Sequence, residues 1–373
     1  MIPLVNLQAQ YASIREEVDA AIQDVLAKGQ LVLGPAVERF ERDFAAYSET
    51  AFGIGTGSGT SAIHLALTAA GIGPGDEVIT TPATFVATAA AILYTGATPV
   101  LVDTLPDIAL MDPAAAEAAI TPRTRAILPV HLYGHVCDMT RLRAIADRHG
   151  LLLIEDASQA HGARHDGRRV GSLGDMACFS CYPGKNLGGF GEAGIVTTDD
   201  AGLAARMRKL RDWGQGKPRV HVELAFNYRM DGIQGAVLAV KLKYLDEWNA
   251  RRRTNARYYT KALRGTGLGT PEPPLYSESV YHVYDIATDD RDAMGPWLND
   301  RGIATGVHYI LPVHRHPGYA DRCRHDGLPN AERLFTRTLS LPVCPHLTAD
   351  ERRQVCDAVL DYAAMHQLQR RSA

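Results

Sequence analysis

The sequence predicts an α/β protein built on a mostly parallel, doubly wound sheet. Three observations carry this prediction. Between residues 51 and 200, short apolar runs alternate with helix-period segments, the pattern of strand–helix–strand units. Several runs, 151–155 above all, are apolar at nearly every position, as expected of strands covered on both faces. After about residue 230 the pattern changes to long helical stretches with short strands, which predicts a smaller α+β unit behind the first.

The elements follow in chain order. The first 50 residues read as two helices. Tyr11, Ile14, Val18, Ile22 and Val25 recur at spacings of three and four, Gly29 is placed to end the first helix, and Gly34-Pro35 precedes a second through Phe40 and Phe44. Strands are expected at 51–55, 77–80, 98–102, 125–129, 151–155, 176–180 and 194–198, with helices at 61–70, 85–94 and 139–149 between them. Residues 231–248 read as one long helix and 251–259 as another. Pro271-Glu272-Pro273-Pro274 then breaks the chain. Short strands follow at 282–287 and 339–341, and a last helix at 349–367. The expected division is a large unit over 1–248 and a small C-terminal α+β unit over 249–373.

Composition excludes several classes of function. With 46% hydrophobic and 22% charged residues, the 373-residue chain is globular rather than disordered. A net charge of -3 argues against a general polyanion binder. The one basic run, Arg251-Arg252-Arg253 with Arg257, has few aromatics nearby and is expected to be a solvated or subunit-facing helix surface, not a nucleic-acid site. No apolar run reaches the roughly 18 residues of a membrane span. The first residues turn polar and acidic at once, unlike a signal peptide, so a cytoplasmic protein is expected. Cys178 lies on an expected strand and Cys181 just past its end, and both read as core or near-site thiols, with His314 and His316 as loop histidines; no metal is expected.

Three constellations carry chemistry. Gly53-Ile54-Gly55-Thr56-Gly57-Ser58-Gly59-Thr60-Ser61 follows a strand and opens a helix, a setting that favours a phosphate through backbone N–H groups, hydroxyls and the helix dipole. A tight glycine turn is the plain alternative. The dinucleotide and P-loop patterns both fail here. The expected strand 151–155 ends at Glu155-Asp156, and ligands bind at the carboxyl ends of strands in open parallel sheets. Alternation points the two acids to opposite faces, and Ser158, Gln159 and His161 follow as polar partners. A helix cap by Asp156 explains the same residue equally well. Thirdly, Ser180 leads through Tyr182-Pro183-Gly184 to Lys185, one of seven lysines and the one in an apolar, glycine-rich setting. A desolvated lysine has a lowered pKa and forms Schiff bases. Together the three fit pyridoxal 5'-phosphate, which needs a phosphate cradle, a Schiff-base lysine and a carboxylate for its ring nitrogen. Phe85, just past another strand end, is a candidate stacking surface or plain core.

At this point the sequence resembles the DegT/DnrJ/EryC1/StrS family of pyridoxal-phosphate-dependent sugar aminotransferases. The likeness runs through GTGSGTSAIHLAL, TPATFVATAAA, EDASQAHGA, FSCYPGKNLGGFGEAG, FNYRMDGIQGA and VHYILPVHRHPGY. It implies the aspartate-aminotransferase-like fold, with a mostly parallel seven-stranded sheet in the large domain. It implies Lys185 as the Schiff-base lysine and proton shuttle, Asp156 on the pyridine nitrogen, Gln159 on the ring oxygen and Phe85 stacked on the ring. Gly59, Thr60, the Ser61 backbone and Ser180 would hold the phosphate. Asn227 would reach it from the neighbouring subunit of a homodimer with shared sites. Tyr182, Arg229, His308 and Tyr309 fall where relatives touch sugar or nucleotide.

The resemblance further implies a ping-pong reaction. An amino group, usually from L-glutamate, is stored as pyridoxamine 5'-phosphate and passed to a nucleotide-linked keto-deoxysugar. The YPGKNLG run is most similar to members acting at C3; 4-ketosugar and cyclitol aminotransferases are the alternatives within the family. Two departures stand out: Ala193 where the family usually has glycine, and Cys181 where an aromatic is common.

Overall fold

The computed structural model describes residues 1–372. Seven strands form the main sheet: β1 (Phe52–Thr56), β2 (Glu77–Thr80), β3 (Thr98–Leu101), β4 (Thr124–Ile127), β5 (Leu152–Asp156), β6 (Met176–Ser180) and β7 (Gly194–Thr198). Their spatial order is β1-β7-β6-β5-β4-β2-β3. β7 is antiparallel to both neighbours, and the remaining pairs are parallel. Every expected strand of this sheet is present, with its ends within two residues of expectation. Because β1 and β6 both oppose β7, they point the same way as β5, β4 and β2. The carboxyl ends of these strands therefore share one edge of the sheet.

Alternation sorts the side chains into two apolar layers. One face collects Ile54, Leu65, Ile92, Ile154, Cys178 and Val196. The other collects Phe40, Phe44, Ile127, Leu153, Phe179 and Ile195. Cys178 and Cys181 fall in opposite layers, so this C-x-x-C does not aim both sulfurs at one point.

The helices follow local signals. In α1 (Leu7–Lys28), Asn6 Oδ1 caps the start by accepting from Ala9 N–H at 2.9 Å, and Gly29, at φ 64°, ends it. Pro35 opens α2 (Pro35–Tyr47). α3 (Gly59–Ala69) and α4 (Ala87–Tyr94) come next; α4 starts after Phe85, not at it. The short α5 (Pro113–Ala118) was not expected: its PAAAEA sequence has no apolar period, and Asp112 starts it by capping Ala114 N–H at 2.9 Å. α6 (Met139–His149) matches expectation. α7 (Ala201–Arg211) carries the charged helical setting read around Lys209, but its bounds were not readable because its arginines and lysine outweigh the buried stripe of Ala204, Met207 and Leu210.

The expected long helix 231–248 is two helices, α8 (Gly232–Leu242) and α9 (Leu245–Ala262). Lys243 N–H and Tyr244 N–H donate to carbonyls three residues back, at 3.2 and 3.0 Å, which tightens the last turn and stops α8. α9 then runs through the break expected near 249. Its basic run is only partly solvated. Arg252 is buried and donates to the Tyr281 and His282 carbonyls at 3.2 and 3.3 Å, whereas Arg251 pairs with Glu247 on the surface.

A third apolar cluster joins Tyr259, Tyr284, Ile286, Leu298, Leu341 and Val355 with Ile2 from the chain's start. Around it lie α10 (Arg291–Asn299), α11 (Pro329–Arg337), α12 (Ala349–Ser372) and the antiparallel pair β8 (Tyr284–Ala287) and β9 (Thr338–Leu341). The last expected helix thus continues five residues past 367. Among the described residues no helix is long and apolar enough to cross a membrane.

Glu155 pins the middle of the sheet. It is fully buried, and its Oε2 lies 3.0 Å from His131 Nε2. His131 Nδ1 accepts from Cys137 N–H at 3.2 Å, so the ring's proton sits on Nε2 and points at the acid. The N–H groups of Gly171, Leu173 and Gly174 also donate to Glu155, at 3.3, 3.0 and 2.9 Å. Glu155→Ala strands all four donors in the core. It is expected to lower unfolding stability by roughly 3–5 kcal/mol in urea titrations; a loss under about 1 kcal/mol would contradict this role.

Candidate active site

The shared carboxyl edge of the sheet opens on a cavity of about 590 Å³. Its floor is made by the turn from β1 into α3. Ser58 caps that helix, accepting from Ser61 N–H at 3.1 Å, while Ser61 Oγ donates back to Ser58 O at 2.9 Å. Gly59 is required by close packing: a Cβ there would lie 2.5 Å from Ser180 Cβ. Gly59, Thr60 and Ser180 line the cavity together, at the positive end of α3. Ser61 does not line it, its N–H and hydroxyl being engaged by Ser58.

Asp156, at the end of β5, is buried and faces the cavity. Thr88 Oγ1 donates to its Oδ2 at 2.7 Å and Ser158 N–H to its Oδ1 at 3.1 Å. No helix starts at Asp156, which removes the capping explanation. Gln159 is fixed between two partners. Its Oε1 accepts from Tyr133 N–H at 2.8 Å, and its Nε2 donates to Tyr309 Oη at 2.9 Å. Phe85 is not core: it is 53% exposed, lines the cavity and sits 5.6 Å from the Tyr309 ring, centroid to centroid.

Lys185 enters from the loop after β6. Burial lowers its pKa to about 8, against the opposing pull of the Asp156 carboxylate. About a tenth of the amine is therefore unprotonated at pH 7, far more than for an ordinary lysine. Three histidines surround it, and each is held neutral first by burial and then by the Lys185 charge. His161 falls to about 3, His282 falls well below its usual value, and His308 is lowered. Tyr182, His308 and Tyr309 also line the cavity. His308 Nδ1 lies 2.7 Å from Ser340 Oγ.

Asn227 and Arg229 stand apart from this group. Asn227 is exposed and accepts from Arg229 Nε at 3.1 Å, and Arg229 pairs with Asp212 at 3.3 Å. Neither lines this chain's cavity. Sequence reasoning gave no role to Thr88 or His282. Thr88 carried a weak signal: with Thr84 it forms a hydroxyl pair one helical turn apart, their oxygens 2.7 Å from each other. His282 carried none beyond being one polar residue in an apolar alternation. Away from the site, His314 pairs with Glu332 at 2.9 Å and His316 with the Leu311 carbonyl at 3.2 Å.

Comparison with known proteins agrees with this geometry. The model of the DegT/DnrJ/EryC1/StrS aminotransferase family matches residues 12–360. The dTDP-3-amino-3,4,6-trideoxy-alpha-D-glucose transaminase of Streptomyces venezuelae is 48% identical over 364 residues, covering 97% of this chain and 96% of the relative. The erythromycin biosynthesis sensory transduction protein EryC1 of Saccharopolyspora erythraea is 47% identical, covering 96% of this chain and 98% of the relative. The crystal structure of S. venezuelae DesV in complex with a ketimine intermediate superposes with a TM-score of 0.95 at 48% identity, over 97% of this chain and 98% of that one. The chain belongs to the DegT/DnrJ/EryC1/StrS aminotransferase family.

It is thus an aminotransferase, and its cofactor is pyridoxal 5'-phosphate. The residues present fit that group. A glycine whose Cβ is forbidden leaves room at a helix start, a buried acid faces the same space, and an amine of lowered pKa stands beside it.

Thr88 lines the cavity and holds Asp156 by one hydrogen bond. Thr88→Val removes one hydrogen bond to a charged group and is expected to cut kcat/KM about 10- to 100-fold in steady-state assays. A variant within twofold of the parent would show that Ser158 alone orients the acid.

Proposed function

We propose that this enzyme transfers an amino group from L-glutamate to C3 of a nucleotide-linked keto-deoxysugar, working as a homodimer in the cytoplasm. The observation that carries the reading is the meeting of Lys185, Asp156 and the Gly59–Thr60–Ser180 cradle at one cavity. The choice of C3 is supported by the 3-amino-sugar relative and by the YPGKNLG run around Lys185.

When bound, pyridoxal phosphate supplies an aldehyde that takes up nitrogen and a ring that withdraws electrons. The chain's residues supply the rest. Gly59, Thr60 and Ser180 offer N–H and hydroxyl donors to the phosphate. Asp156, oriented by Thr88 and Ser158, offers its carboxylate to the protonated ring nitrogen. Gln159 Nε2 would offer a donor to the ring oxygen, and the Phe85 ring would cover one face. Lys185 carries a proton to and from the substrate carbon, a task suited to an amine that titrates close to neutral pH. Tyr182, His308 and Tyr309 stand where the sugar enters.

Asn227 and Arg229 belong, on this reading, to the neighbouring copy's site. The exposed apolar residues Trp213, Val222 and Leu224 near them support a covered surface there. The large unit over 1–248 would carry the cofactor, and the unit over 249–373, joined to it through α9, would line the same cavity with His282, His308 and Tyr309. The relative named for sensory transduction does not favour a regulatory role here, because Lys185 and Asp156 are both present and both face the cavity.

The test uses L-glutamate with matched 3-keto and 4-keto nucleotide sugars, and product analysis by mass spectrometry. Amination of the 3-keto sugar is expected, with loss of at least about 10³-fold in Lys185→Ala. Turnover of the 4-keto sugar alone would overturn the C3 assignment, and parental activity in Lys185→Ala would overturn the mechanism.

A further inference from the structure

The hydrogen bonds behind Lys185 determine the tautomer of a histidine. The His161 carbonyl can only accept. Asn249 Nδ2 donates to it at 2.8 Å, which turns the Asn249 oxygen toward Asn186. Asn186 Nδ2 donates to that oxygen at 2.9 Å and to the Val280 carbonyl at 3.1 Å, so both its amide hydrogens are used. Asn186 Oδ1 is left facing His282 Nδ1 at 3.2 Å and must accept from it. His282 therefore carries its proton on Nδ1, and on a neutral ring Nε2 holds a bare lone pair.

That ring lines the cavity with Lys185. The Asp156 carboxylate acts on Lys185 through space, Cys181 is a neutral thiol whose pKa burial pushes up to about 12, and among the described residues no side chain accepts a hydrogen bond from the Lys185 Nζ. A donor without an acceptor and an acceptor without a donor thus share one cavity. The charged and titratable groups acting on His282 are Lys185, Arg252, His308 and His161, with Lys185 the strongest. Arg252 directs its hydrogen bonds to the Tyr281 and His282 carbonyls, not to the ring.

We propose that His282 is a positioning residue whose Nε2 accepts a hydrogen bond from the Lys185 amine whenever that amine is not bonded to the cofactor. The role rests on the reading of Lys185 given above. It keeps the released amine inside the cavity and aligned, rather than free to swing toward Asp156 or the cavity mouth.

Two measurements on the full chain test it. Imidazole nitrogen NMR, with His282 assigned by comparison with His282→Asn, is expected to show a protonated Nδ1 and a bare Nε2 at pH 7. Protonation at Nε2 would overturn the proposal. The pH dependence of trinitrobenzenesulfonate labelling at Lys185, followed by peptide mass mapping without added cofactor, gives the second. The parent midpoint is expected near 8. An acceptor stabilises the ammonium, so its loss lets the proton leave at lower pH. His282→Asn keeps the donor toward Asn186 but lacks the far lone pair, and is expected to lower the midpoint by roughly one pH unit. His282→Gln, with a carbonyl oxygen at the far edge, is expected to restore most of that shift. A purely structural role would change melting temperature and leave the midpoint in place, which would overturn the proposal. If the parent forms no imine absorbance with pyridoxal phosphate, the reading of Lys185 falls and this role with it. An intact imine with an unmoved midpoint removes His282 alone.

Discussion

The pairing of β5 with β6 is the constraint on which the site depends. Their register sets Asp156 beside Cys178, and Ala157 N–H donates to the Cys178 carbonyl at 2.8 Å, extending the ladder one residue past the strand. A one-residue slip would turn Asp156 into the core and Glu155 into the cavity. Glu155 blocks that slip, because His131 and the backbone N–H groups of Gly171, Leu173 and Gly174 are matched to a carboxylate on the buried side. Two adjacent acids thus divide the work. One fixes the register, and the other uses the direction so fixed.

The same burial sets the electrostatics. Removing Lys185 from water lowers its pKa, and the Asp156 carboxylate raises it again, so the group settles near 8 rather than losing its charge altogether. A lysine much lower would be a poor proton carrier, and one near its usual value a poor nucleophile at neutral pH. The surrounding histidines contribute by staying neutral. A second cation among them would push Lys185 lower still, and burial prevents it at His161, His282 and His308.

What was legible in the sequence follows from what is local. The seven strands were readable as apolar runs because both faces of the sheet are covered, and Lys185, Asp156 and the Gly59 turn were readable because each sits at a strand end. The break at Lys243-Tyr244 was not, since α8 and α9 bury continuous stripes and only a tightened turn divides them. α5 was missed, and the bounds of α7 left unread, for the opposite reason, too little apolar period to register. Lys241 was equally illegible: on an amphipathic helix, where a lysine is by default a surface charge, it is fully buried, and its partners lie far away in sequence. The tautomer of His282 was illegible because it is set by Asn186, Asn249 and two carbonyls that only the fold brings together.

Lys241 also explains how a glycine-rich loop holds Lys185 steady. Glycines have few side-chain contacts and high conformational freedom, so the loop's shape must come from elsewhere. Gly188 cannot carry a Cβ, which would meet the Pro183 carbonyl at 2.3 Å, and its own carbonyl accepts from Lys241 Nζ at 2.7 Å. Lys241 is in turn satisfied by Gln10 Oε1 at 2.9 Å and by the face of the Phe190 ring, 4.5 Å from its centroid. Phe190 N–H donates to Gln234 at 2.7 Å, Gly189 N–H to the Cys181 carbonyl at 2.8 Å, and Lys185 N–H to the Tyr182 carbonyl at 2.8 Å. The backbone under Lys185 is thereby held from α1, α8 and the end of β6. Where the Lys185 amine can rest is then a matter of the lysine's own side-chain torsions and of the groups the scaffold fixes around it.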